Sequence, residues 1–213
     1  MPSNQVTLVW GTDPDGRKPY GVVYFDTELS AWVCAIRGTE GFWEWVKDAE
    51  ALPVDCPFGA GRVHSGFLDL YQTLQAGNLP LRVFLYSLTR PVIVTGHSLG
   101  AALATMAAVD TPNCALATFA GPRVGDADFV AGALSGGLQL VRVVNVPDFV
   151  PQVPFDIHPL FCYEHIGPTL WVDSTKEADD ELAAFHSLDT YLHMLDSAHP
   201  LLPQYVINAN TQT

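Results

Sequence analysis

The sequence predicts an α/β fold: a mixed, mostly parallel central sheet with helices on both faces and a short helical lid. Three observations predict it. From Val92 onward, short β-branched apolar runs alternate with helix-like stretches, the pattern of parallel strands joined by crossover helices. Upstream, three strand-like runs follow one another across connections too short for a crossover helix, so they are expected to pair antiparallel. With 213 residues, 48% of them apolar and 15% charged, the chain can bury the core of one domain.

Taken in order, Val6 to Trp10, Tyr20 to Phe25 and Ala31 to Ile36 read as the first strands, with Thr12-Asp13-Pro14-Asp15-Gly16 as a turn. Glu40 to Glu50 reads as a short helix, because Phe42, Trp45, Val46 and Ala49 recur at helical spacing on one face while Trp43 lies off it. Pro53 and Pro57 end it and begin an irregular loop through Arg62. Val63 to Gln75 and Pro80 to Leu88 read as helices that return the chain to the strand at Val92. Ala115 to Phe119 is a strand, Asp126 to Leu134 a helix, and Leu138 to Val146 a strand ending at Pro147-Asp148. Tyr163 to Val172 is expected as the last strand and His186 to Leu195 as the final helix. No internal repeat or linker divides the chain, so residues 1–213 form a single domain, with 40–62 as lid helix and following loop.

Composition excludes several functions. A net charge of −13 disfavours nucleic acid and docking on anionic membranes. No apolar run approaches the length of a membrane span. The N-terminus shows no basic region followed by an apolar core, so no leader is visible. Cys34, Cys56, Cys114 and Cys162 form no C-x-x-C pair, which argues against a zinc knuckle and favours buried, reduced thiols.

The chain is organised around Val92 to Ala104. A β-branched strand runs into Gly96-His97-Ser98-Leu99-Gly100, a G-x-S-x-G sequence, and an Ala-rich helix follows at once. Strand, tight turn and helix are the context in which this motif marks a nucleophile elbow: the glycines leave room for the bend, and the bend projects the Ser98 hydroxyl above the sheet edge. A serine hydroxyl needs a base, a group to orient that base, and donors for an oxyanion. In folds with this elbow the chain order is Ser, then Asp or Glu, then His. Of the acids Asp148, Asp156, Glu164 and Asp173, Asp148 stands at the carboxyl end of a strong strand, where α/β sites assemble. Of His158, His165, His186, His193 and His199, His186 opens the last expected helix, while His193 lies two turns further on, roughly 10 Å along the axis. The Leu99 N–H, directly after the nucleophile, is the first expected oxyanion donor. Thr39, in the loop after the third strand, is the second, though it can also cap the helix that follows. His97 is expected to pack inside the elbow and His64 to steady a neighbouring loop.

The motifs together identify a resemblance. Ile36-Arg37-Gly38-Thr39, Trp45-Val46-Lys47-Asp48, Val63-His64-Ser65-Gly66-Phe67, Val94 to Ala102, Thr118 to Gly125, Val144 to Pro151 and His186 to Leu192 resemble, in order, motifs of the class 3 lipases, the family of the filamentous-fungal triacylglycerol lipases. The resemblance implies an α/β-hydrolase fold, Ser98 as nucleophile, Asp148 as orienter and His186 as base. It also implies Thr39 and Leu99 as oxyanion donors, and a lid over Phe42 to Glu50 in which Phe42, Trp43, Trp45 and Val46 meet substrate. The chain departs from the secreted fungal enzymes in being shorter, in showing no leader and in lacking a recognisable set of their disulfides. The expectation is a serine carboxylester hydrolase acting on acylglycerols and other fatty-acyl esters, as a monomer, at an oil–water interface, with no metal or organic cofactor. A feruloyl-type esterase, a phospholipase, a thioesterase, or a catalytically silent scaffold binding an apolar ligand are the alternatives.

Overall fold

A computed structural model describes residues 6–38, 52–155, 162–178 and 181–197. Its elements in chain order are β1 (Thr7–Asp13), β2 (Gly16–Asp26), β3 (Ala31–Ile36), β4 (Pro53–Asp55), β5 (Arg62–His64), α1 (Ser65–Thr73), β6 (Gln75–Ala76), β7 (Leu79–Pro80), α2 (Leu81–Tyr86), β8 (Val92–His97), α3 (Leu99–Asp110), β9 (Cys114–Phe119), α4 (Ala127–Ser135), β10 (Gln139–Asn145), β11 (Thr169–Val172), α5 (Leu182–His186) and α6 (Leu188–Leu195). The helix expected over Glu40 to Glu50 lies outside the described residues, as does Thr39.

Among the described residues one sheet of nine strands runs in the order β11-β10-β9-β8-β3-β2-β1-β6-β7. β1, β2 and β3 pair antiparallel, as their short connections require. β3, β8, β9, β10 and β11 are parallel neighbours. Strand β8 thus sits mid-sheet, and its carboxyl end delivers the chain to Ser98.

Side-chain parity sorts the core. Cys34, Val94 and Leu116 are cross-strand partners on one face and are buried with Leu103 and Met106 of α3. Every residue of α3 from Leu99 to Ala108 is buried, which suits a helix that is apolar all round. Phe119 and Val143 have the opposite parity and pack with Tyr191 of α6, so α6 covers the other face. Burial pushes the Cys34 thiol up to about 12 and the Cys114 thiol to about 11. All four cysteines are free, with only Cys162 exposed.

The structure corrects three expected boundaries. The helix expected from Val63 begins at Ser65, because Val63 pairs with Val54 in β4 and His64 becomes the N-cap: its Nδ1 accepts from the Gly66 N–H at 3.1 Å. The strand expected over 163–172 shrinks to Thr169–Val172, since Pro168 has no N–H to donate and Gly167 turns through φ 69°. The final helix is two helices broken at the extended Ser187, so His186 closes α5 instead of opening a helix.

Candidate active site

The elbow follows from crowding. A Cβ on Gly96 would fall 2.2 Å from the Gly100 carbonyl oxygen, and one on Gly100 would fall 2.2 Å from that of Ile36, so neither position accepts a side chain. Between them Ser98 takes φ 58° and ψ −128°, a region that strains any residue with a Cβ. Its hydroxyl is buried and has no hydrogen-bond partner among the described residues. Leu99 opens α3, so its N–H has no intrahelical acceptor and stands at the helix's positive end. Gly38 runs against Ser98: a Cβ there would sit 2.9 Å from the His97 carbonyl oxygen and 3.7 Å from Ser98 Oγ.

Asp148 follows β10 and is 3% exposed, yet its carboxylate is fully engaged. Oδ2 accepts from Tyr191 Oη at 2.7 Å and from His186 Nδ1 at 2.9 Å; Oδ1 lies 3.2 Å from the same Nδ1 and accepts from the Val150 N–H at 3.0 Å. Because a carboxylate only accepts, Nδ1 carries the proton of the neutral His186 ring, which puts the ring's basic lone pair on Nε2. Burial and the Asp148 charge drive the Tyr191 pKa up, so the phenol remains a donor. His97 packs against His186, its ring centroid 4.7 Å from that of His186 and its Nε2 2.7 Å from the His186 carbonyl oxygen, to which it donates. Burial first, and the neighbouring His186 second, hold the His97 pKa down to about 4.

Ser98 and His186 line one cleft of about 1070 Å³. Its walls include Ile36, Phe119, Leu188 and Leu192, so most of the surface it offers is apolar. Thr39 and the lid residues Phe42, Trp43, Trp45 and Val46 lie outside the described residues. The other candidate acids and bases stand elsewhere. Asp173 is occupied by Thr175, and Glu164 bridges to Gly125. His165 contacts the Pro151 carbonyl at 2.7 Å, and His193 closes α6. Asp156, His158 and His199 are outside the described residues. Tyr191 and Asn145 were not anticipated: Tyr191 reads as one more apolar helix position, and Asn145 as the end of a strand. Among the described residues no group of three or more His, Cys, Asp or Glu could hold a metal ion, and no helix is long and apolar enough to cross a membrane.

Fold and site define an α/β-hydrolase with a serine at its elbow and, in the same cleft, a histidine paired with a buried aspartate. Residues 33–158 match the sequence family Lipase (class 3), and the chain belongs to that family. It is 34% identical over 165 residues to a lipase of Rhizomucor miehei, covering 71% of this chain and 44% of that one. It is 29% identical over 231 residues to phospholipase A1-Igamma2, chloroplastic, of Arabidopsis thaliana, covering 82% and 44%. Among solved structures, a triacylglycerol lipase whose catalytic centre is a serine protease triad superposes with a TM-score of 0.67 at 29% identity, over 80% of this chain and 67% of that one. Lipase II from Rhizopus niveus superposes with a TM-score of 0.60 at 34% identity, over 71% and 60%. The chain spans about half the length of the curated relatives it matches.

Proposed function

We propose that this chain is a serine carboxylester hydrolase of lipase type that cleaves acylglycerols and other fatty-acyl esters. The observation that carries the reading is the strained Ser98 at the end of β8, in one cleft with a His186 whose Nδ1 proton is held by Asp148. Ser98 Oγ attacks the ester carbonyl carbon while His186 Nε2 takes its proton. Asp148 fixes the tautomer and stabilises the imidazolium. The Leu99 N–H and Thr39 donate to the tetrahedral oxyanion. Collapse expels the alcohol, which takes the proton from His186 and leaves the acyl group on Ser98. A water, deprotonated by His186, then releases the fatty acid and restores Ser98. The apolar walls of the cleft suit an acyl chain, and the aromatic stretch Phe42 to Trp45 suits a lid that meets lipid.

A second reading is favoured by the Arabidopsis relative, which is a phospholipase A1 and aligns with more of this chain than the Rhizomucor lipase does. The same residues would then cleave one acyl ester of a phospholipid. The test is labelling with a fluorophosphonate, followed by hydrolysis of p-nitrophenyl esters of graded length, a triglyceride emulsion and phosphatidylcholine vesicles. Labelling at Ser98 with turnover of any of these supports an ester hydrolase, and the preferred substrate separates the two readings. Folded protein that takes no label overturns both.

A further inference from the structure

Asn145 ends β10 three residues before Asp148, is fully buried, and has every one of its polar groups engaged. Its carbonyl accepts the Asp148 N–H at 3.0 Å, closing the turn that presents the carboxylate. Its own N–H donates to Tyr191 Oη at 3.0 Å, and that hydroxyl donates in turn to Asp148 Oδ2 at 2.7 Å. The side-chain Nδ2 donates to the Phe185 carbonyl at 2.9 Å and to Ser174 Oγ at 2.7 Å, while Oδ1 accepts the Ser174 N–H at 3.0 Å. One residue therefore touches the turn that carries the acid, the phenol that holds the acid, and the peptide joined directly to the base. Phe185 and His186 end α5, and the chain is extended at Ser187 immediately afterwards, so helix geometry does not fix His186 from its C-terminal side. The Nδ2 bond to Phe185 ties that helix end to β10, beside the bond by which His97 of β8 holds the His186 carbonyl.

We propose that Asn145 is a positioning residue: its side chain holds the peptide of His186 at the carboxyl end of β10, at the height where Nδ1 meets Asp148. The proposal rests on the reading of Ser98, Asp148 and His186 given above. A catalytic group displaced by a fraction of an ångström loses rate without losing its substrate, because binding in the cleft does not depend on the base. Supporting residues of this kind are worth roughly 10- to 100-fold when removed.

The test uses Asn145→Asp, which keeps the shape and the bond from the Ser174 N–H but loses both donations, with Asn145→Ala and Ser174→Ala beside it. Ser174→Ala removes the neighbouring hydroxyl and leaves the tie to Phe185. Each protein is titrated to completion with a fluorophosphonate, so that rates are expressed per competent Ser98 and losses in folded yield cancel. The expected result is a fall in kcat of about 10- to 100-fold per titrated site for both Asn145 variants, with KM little changed and Ser174→Ala close to the unaltered protein. The downfield proton resonance of His186 Nδ1 should broaden or move in the Asn145 variants and persist in Ser174→Ala. Unchanged kcat per titrated site in Asn145→Asp overturns the proposal. So does failure of both Asn145 variants to fold, which would assign the residue to the fold alone. If the parent protein takes no phosphonate at Ser98, the functional reading itself has failed, an outcome distinct from either.

Discussion

Replacing Ser98 with glycine should make the protein more stable while abolishing its activity. At φ 58° and ψ −128°, Ser98 sits near the mirror image of the polyproline region. A residue with a Cβ is strained there, at about 1–3 kcal/mol, whereas glycine adopts the mirror conformation freely. Its buried hydroxyl lacks a partner, which adds about 1–3 kcal/mol of unrecovered desolvation. Ser98→Ala removes only the second contribution; Ser98→Gly removes both and takes on about 0.5–1 kcal/mol of unfolded-chain entropy. The glycine variant should therefore exceed the alanine variant by roughly 0–2.5 kcal/mol, or up to about 10 °C in midpoint for a chain this size. Thermal and urea unfolding of the three proteins, with p-nitrophenyl ester hydrolysis in parallel, makes the comparison. Activity should fall by about 10⁴-fold or more in both variants. A glycine variant less stable than the alanine one would overturn the strain argument. Activity surviving at even a tenth would remove Ser98 from the mechanism.

Further tests address the surroundings. Tyr191→Phe removes the 2.7 Å bond to Asp148 and orphans the Asn145 N–H, so unfolding stability should drop by about 2–4 kcal/mol and kcat by roughly tenfold; a silent substitution would mean that Val150 and His186 alone orient the carboxylate. Gly38→Ala forces a methyl to within 2.9 Å of the His97 carbonyl, so ester hydrolysis should fall without loss of fold by circular dichroism. Burial lowers the pKa of His64 and His97 to about 4 and of His165 to about 3, from 6.5 in the unfolded chain. The unfolded state then binds protons first, so stability is intact above pH 6.5 and lost as pH falls towards 4, by up to roughly 3 kcal/mol per histidine; urea midpoints that stay flat over that window would contradict their burial as neutral rings. In the folded protein a thiol reagent should react with Cys162 alone and reach the other three cysteines only after unfolding.

What was legible in the sequence was what short-range sterics dictate. The elbow could be read because both glycines are demanded by atoms within a few residues of Ser98 or by the adjoining strand, and because β8 and α3 announce themselves on either side. Parallel and antiparallel strands separated correctly because connection length constrains pairing. The features that escaped are set by distant partners. The sequence reads as one helix opening at His186, yet His186 closes a helix of its own and the chain breaks at Ser187. The break is supported from β10, where Asn145 holds the Phe185 carbonyl from 40 residues away and donates its backbone N–H to Tyr191 Oη, 46 residues away. Val63 has the look of a helix residue until Val54 pairs with it. Tyr191 sits on an apolar helix face among Leu188 and Leu192, so hydrophobic patterning assigns it to the core, which is correct for its ring and silent about its hydroxyl. The same ring that packs on Phe119 and Val143 carries the oxygen that bonds Asp148. Core packing and the placement of the acid are therefore one constraint at this position. A substitution that preserves apolar volume there keeps the packing of the ring and still loosens the carboxylate, so at this position stability and activity should fall together.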